Sequence, residues 1–109
     1  MQIVTLFSGV TTNTTVAPDK QIDSGNAPAR PSRTYEARVT GTGAITATVQ
    51  LFGSNDGIGY SATPFGTITL SGTTSVTDGF MSQANWQFVR SITSNVTGTG
   101  ATVSATVAL

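Results

Sequence analysis

The chemistry open to this sequence is narrow. Nucleophile–base pairs and zinc sites draw on His and Cys, and the 109 residues contain neither. The acids are Asp19, Asp23, Glu36, Asp56 and Asp78. A glycoside hydrolase would need two of them facing each other across a cleft. Asp56 stands in Asn55-Asp-Gly57 and Asp78 in Asp78-Gly79, both turn sequences, so both are expected as turn residues. The stretch SNDGIG from Ser54 to Gly59 gathers an acid and amides, but not the regularly spaced carboxylates of a calcium loop. Gly53, Gly57 and Gly59 are followed by no Lys-Ser/Thr pair, so they are not a phosphate loop. Tyr60 and Trp86 could stack on sugar rings, although a single Trp in a small β domain is expected in the core. No catalytic, cofactor-binding or metal-ligating set emerges, and the expectation is a protein that is not an enzyme.

The elements that would position these side chains are strands. Tyr35, Ala37 and Val39 alternate with Thr34, Glu36 and Arg38, and Ile45, Ala47, Val49 and Leu51 alternate with Thr46, Thr48, Gln50 and Phe52. Ile68 and Leu70 alternate with Thr67 and Thr69, and Val103, Ala105, Val107 and Leu109 with Thr102, Ser104 and Thr106. Such alternation against a Thr face marks half-buried antiparallel strands. Trp86, Phe88 and Ile92 share a parity and suggest a further core face, on which Arg90 is out of place. Turn sequences separate the runs at Gly41-Thr-Gly43, Ser54–Gly57, Ser71-Gly-Thr73, Asp78-Gly79 and Gly98-Thr-Gly100. The spacing predicts an all-β fold: an antiparallel β-sandwich, jelly-roll or immunoglobulin-like, of about seven or eight short strands. The hexapeptide VTGTGA occurs twice, at Val39–Ala44 and Val96–Ala101. Each copy reads as a hairpin turn with a glycine at positive φ, either one per sheet or side by side.

The first 33 residues differ. Met1–Val10 is β-prone and apolar on both faces, with Ile3 and Phe7 on one side and Leu6 on the other. Thr11–Arg33 carries Pro18, Pro28 and Pro31 and three of the five cations, without periodicity. The expected organisation is an extended N-terminal arm over 1–33 and a sandwich domain over 34–109. Ile3, Leu6, Phe7, Pro28, Arg30, Pro31 and Arg33 are the candidate partner-binding residues, since a Pro-stiffened arm loses little entropy when it orders on a neighbour. Apolar residues on both faces of the first strand exceed what one small core uses, which predicts a homo-oligomer, a trimer in the first place.

Composition excludes several classes. Charged residues are 9% of the chain, against about 25% in an ordinary domain, and five cations cancel five acids. Thr and Ser, 21 and 11 in number, replace them, which argues against helical bundles and charge-driven disorder. Lys20, Arg30, Arg33, Arg38 and Arg90 are too scattered for a nucleic-acid surface. No apolar run is long enough to make a helical membrane span, so no membrane partner is expected.

The segment Trp86–Val107 (WQFVRSITSNVTGTGATVSATV) resembles a pattern of small tailed-bacteriophage structural proteins, in which a Trp-x-aromatic-Val-Arg strand precedes a Gly-Thr-Gly-Ala-Thr-Val hairpin. Gly41–Val49, Gly53–Gly57 and Phe65–Gly72 fit the same pattern, so the likeness runs from Thr34 to Leu109 and leaves the N-terminal arm outside it. The resemblance implies a virion protein, most like a capsid decoration (cement) protein that sits on the capsid surface. It implies the major capsid protein and further copies of itself as partners, with no catalytic residues. The alternative is a carbohydrate- or receptor-binding β-module of a tail or head fibre.

Overall fold

A computed structural model describes residues 3–12, 15–16, 19–22, 32–83 and 86–108. Among them every regular element is a strand: β1 (Ile3–Val10), β2 (Thr15–Val16), β3 (Lys20–Gln21), β4 (Arg33–Ser54), β5 (Gly66–Ser82) and β6 (Phe88–Ala108). All pairings are antiparallel, in the order β1-β6-β4-β5, with β2 and β3 following β1 along the same edge of β6.

The three long strands are not straight. A 22-residue strand would extend roughly 70 Å at ~3.3 Å per residue, yet the longest dimension of the molecule is 44 Å. Each strand instead bends near its middle and doubles back. Phe80 lies against Gly66 at the far end of the same strand, closely enough to occupy the place of a Cβ there. Trp86 touches both ends of β4, accepting a hydrogen bond from Arg33 Nη1 (2.6 Å) and covering Gly53.

The fold follows from counting half-strands in chain order: β1; β2 with β3; residues 33–40 and 44–54 of β4; 66–73 and 75–82 of β5; 88–97 and 101–108 of β6. The registers join the first half-strand to the eighth, the eighth to the third and the third to the sixth. They likewise join the second to the seventh, the seventh to the fourth and the fourth to the fifth. Two half-sheets ordered 1-8-3-6 and 2-7-4-5 are a jelly roll, which selects between the two sandwich topologies expected from the sequence.

One apolar cluster fills the space between the half-sheets, and the alternation read from the sequence supplies most of it. Tyr35, Ala37 and Val39 face inward opposite Val107, Ala105 and Val103. Ala47 and Val49 face inward opposite Leu70 and Ile68. Side chains of different size, from Ala37 and Ala105 to Tyr35 and Leu70, share these inner faces, which lets the two faces interdigitate. Tyr35, Phe65 and Phe80 close one end, with ring centroids 5.3 to 6.3 Å apart.

Four expectations need correction. First, VTGTGA marks bends inside continuous strands, not hairpin turns. Gly43 (φ 72°) and Gly100 (φ 65°) have the positive φ expected. The segments flanking each bend do not pair with each other, because both pair with the neighbouring strands. The two copies lie side by side, with Thr42 opposite Thr99. Second, Asp78-Gly79 is not a turn but part of β5, where Gly79 passes close to the Tyr35 carbonyl. Third, the inward parity of β6 before its bend is Val89, Ser91 and Thr93, not Trp86, Phe88 and Ile92. Register decides this: Leu51 pairs with Ser91 and Val49 with Thr93. Fourth, the described part of residues 1–22 is no separate arm. It is the edge of both half-sheets, because β1 pairs with the last half of β6, and β2 and β3 with the first.

Candidate functional site

At the end of the sandwich opposite the bends, the loop after β4 gathers most of the polar side chains singled out from the sequence. Ser54 closes the turn: its Oγ accepts from the N–H of Gly57 (3.0 Å) and donates to Asp56 Oδ1 (2.9 Å). Asp56 Oδ1 in turn accepts from the N–H groups of Ile58 (2.9 Å) and Gly59 (3.1 Å). These backbone donors, Ile58 first, hold the Asp56 carboxyl below its ordinary 3.8. Asp56 is therefore the turn residue expected of it.

The loop delivers Tyr60 to the outer face of β6. There the Arg90 guanidinium lies 4.1 Å from the centre of the Tyr60 ring. Its Nε and Nη2 donate to the two oxygens of Asp19, at 3.0 and 3.3 Å. The Arg90 hydrogen bond lowers the Asp19 pKa. Burial, and then the neighbouring Asp19 carboxylate, push the Tyr60 hydroxyl up to about 12. Arg90 thus faces outward, and it ties three chain segments together: the edge track, β6 and the loop after β4. Phe88, also outward, packs against Gly57 of that loop.

The candidate partner-binding residues divide. Pro28, Arg30 and Pro31 lie outside the described residues. Ile3 is 65% exposed on the outer face of β1. Leu6, Phe7 and Arg33 belong to the chain's own interior, at 2%, 7% and 2% exposure. The reason for the first two is a register shift between Thr5 and Phe7, which turns consecutive side chains toward the core. Arg33 opens β4 on the inward face and donates to the Trp86 carbonyl. The sequence signal for that role was weak, since Arg33 follows a Pro-rich stretch and reads as part of it.

Both aromatic rings proposed for sugar stacking are half-buried. Arg90 covers one face of Tyr60, and Trp86 is pressed against Gly53 at the mouth of the sandwich. Among the described residues no three acids, His or Cys converge as metal ligands. The large outward surfaces are the two sheet faces. On β4 and β6 of the first half-sheet they present Thr34, Thr40, Thr102, Ser104 and Thr106 around Glu36 and Arg38. A scan against models of known protein families finds no match to this chain, and a search of curated proteins finds none either.

Proposed function

We propose that this chain is a non-enzymatic structural protein of a tailed-bacteriophage virion, a decoration protein that binds the outside of the head and stabilises it by bridging subunits. Its partners are the major capsid protein and further copies of itself. The observation that carries the reading is how the polar groups are used. Asp19, Arg90, Asp56 and Arg33 all hold the chain's own segments in place. The outer face of the first half-sheet is lined mainly by hydroxyls, a surface suited to contact over an area. Jelly rolls recur in viral capsid domains and in lectins; this is an analogy of fold, and the sequence resemblance tips it toward the virion. Many modest contacts repeated by lattice symmetry sum to firm attachment through avidity.

The fibre-module alternative stands second. A glycan platform needs an aromatic ring with an open face; Tyr60 and Trp86 are both half-buried, with Arg90 on one face of Tyr60 and Gly53 against Trp86. The test is to mix the purified protein with undecorated heads, sediment them and measure bound protein. Saturable binding that raises the rupture temperature of the heads is expected. Heads that bind none of it would overturn the proposal.

A further inference from the structure

The outer face of the first half-sheet is unusual in one respect. Across its paired outward positions on β4, β5 and β6, side chains are Thr, Ser, Ala or Gly except for Glu36, Arg38 and Met81. Ile3 adds a fourth exception on the β1 edge, in the row that runs Ile3, Ala108, Thr34 and Met81. Glu36 is the only Glu of a chain with ten charged residues. It stands two residues from Arg38 on the same face, about 7 Å along the strand. Both are exposed, and no ion pair joins them. Arg38 donates from Nε to Thr77 Oγ1 (3.0 Å), and that bond leaves the two terminal nitrogens of its guanidinium uninvolved. Beside the pair lies a shallow depression of ≈ 160 Å³ lined by Glu36, Arg38, Ser104, Ala105 and Thr106, wide enough to receive a side chain.

We infer that this face packs on the same face of a second copy about a two-fold axis that crosses β4 at Ala37, joining Glu36 of each chain to Arg38 of the other. This rests on the homo-oligomeric part of the proposed function and names its interface. Charge selects the axis. A two-fold lying in the interface and running across the strands exchanges the positions on either side of Ala37, so unlike charges meet twice. A two-fold running along β4 would set Glu36 over Glu36 and Arg38 over Arg38, which repel. Small outward side chains let two sheets approach to the usual ~10 Å. Ile3 and Met81, each 65% exposed, then lie at the two ends of the row that runs Thr102, Thr40 and Ser75 in the other copy, Met81 over Ser75 and Ile3 beside Thr102.

The area sets the strength. Four strands at ~4.8 Å spacing and seven residues at ~3.3 Å give a face of about 450 Å² per copy. Two such faces come near the ~1,000 Å² that a specific contact needs. The contact is therefore weak and reversible, as suits a protein whose attachment is reinforced on a lattice. It makes a dimer in place of the trimer expected from the sequence.

Sedimentation equilibrium on the full chain tests this, with Glu36→Arg, Arg38→Glu and the double exchange. All three changes are on an exposed face, and circular dichroism confirms that each variant folds. The wild type should form a dimer that weakens with added salt. Each single reversal sets like charges together and should raise the dissociation constant at least about tenfold, while the double exchange restores it. A wild type that stays monomeric, a trimer, or a dimer indifferent to both single reversals would overturn the inference. Head binding, measured in parallel, separates the two claims. A monomer that binds heads removes this interface and leaves the decoration role; a dimer that binds none does the reverse.

Discussion

Arg90 shows how one side chain can organise a surface. It sits on an outward position of β6, meets the Asp19 carboxylate with two nitrogens and covers the Tyr60 ring. The cluster has a signature in alkali. The Tyr60 pKa in the fold is about 12, above its ordinary 10.0, so the unfolded chain releases this proton first. Stability from Tyr60 is complete below pH 10 and declines as pH rises toward 12. Tyr35 is also shifted up, by burial first, and acts in the same direction. Urea midpoints between pH 9 and 12 should fall in the wild type and fall less steeply in Tyr60→Phe. On the acid side, Asp19 and Asp56 are both held below 3.8, so their stabilisation persists above that value and is lost as pH drops beneath it.

A second residue-scale prediction concerns Thr93. Its Oγ1 is buried with no hydrogen-bond partner among the described residues, opposite Val49 in the core. A buried hydroxyl without a partner costs about 1–3 kcal/mol, and valine has the same shape without it. Thr93→Val is expected to raise the thermal midpoint, as read by circular dichroism. Ser91 and Thr93 also explain why the inner face of β6 was hard to see in the sequence. Its inward residues there are small and polar, whereas Phe88 and Ile92 on the outward side carry the larger apolar signal. Register with Leu51 and Val49 overrides that signal, and register is not a property of β6 alone.

At the scale of elements, the bends decide the architecture. Gly43 and Gly100 take φ of 72° and 65°, and neither has a neighbouring atom within 4 Å of where a Cβ would be. Substitution there strains the backbone without a clash. Gly43→Val and Gly100→Val should each cost about 1 kcal/mol or more, because a β-branched residue resists positive φ. The check is chemical denaturation of each variant beside the wild type. Side chains brace the same turn in the sheet: Thr46 Oγ1 donates to the Asn95 carbonyl (2.9 Å), and Asn95 itself has φ 54°. The repeated VTGTGA flagged these positions correctly as glycines at positive φ. It misled on their meaning, since a hairpin and a bend within a strand use the same local chemistry. What separates them is whether the flanking segments pair with each other or with third strands, and that information lies dozens of residues away.

For the whole molecule, the decisive contribution comes from the segment that looked least structural. β1 to β3 form one edge of both half-sheets, and they bring Leu6, Phe7 and Ile22 into the core. Prolines and scattered charges concealed this, because they suppress periodicity between Thr11 and Arg33 even though Ile3–Val10 is a full strand. Cutting the chain at residue 31 makes the test, with Arg33 kept to hold the Trp86 carbonyl. Three buried apolar side chains are worth about 1.5–3 kcal/mol each. Their sum rivals the ~5–15 kcal/mol that stabilises a whole domain. The cut also bares the full length of β6 as an unpaired edge, which invites association. The fragment 32–109 is therefore expected to lose cooperative unfolding and to aggregate, by calorimetry and gel filtration, whereas an arm could be removed without loss. Adding residues 1–31 as a separate peptide should restore the cooperative transition, by pairing along β6 as the covalent segment does. A fragment that melts cooperatively without the peptide would mean that the edge track is dispensable, and that the remaining six half-strands suffice to enclose the core.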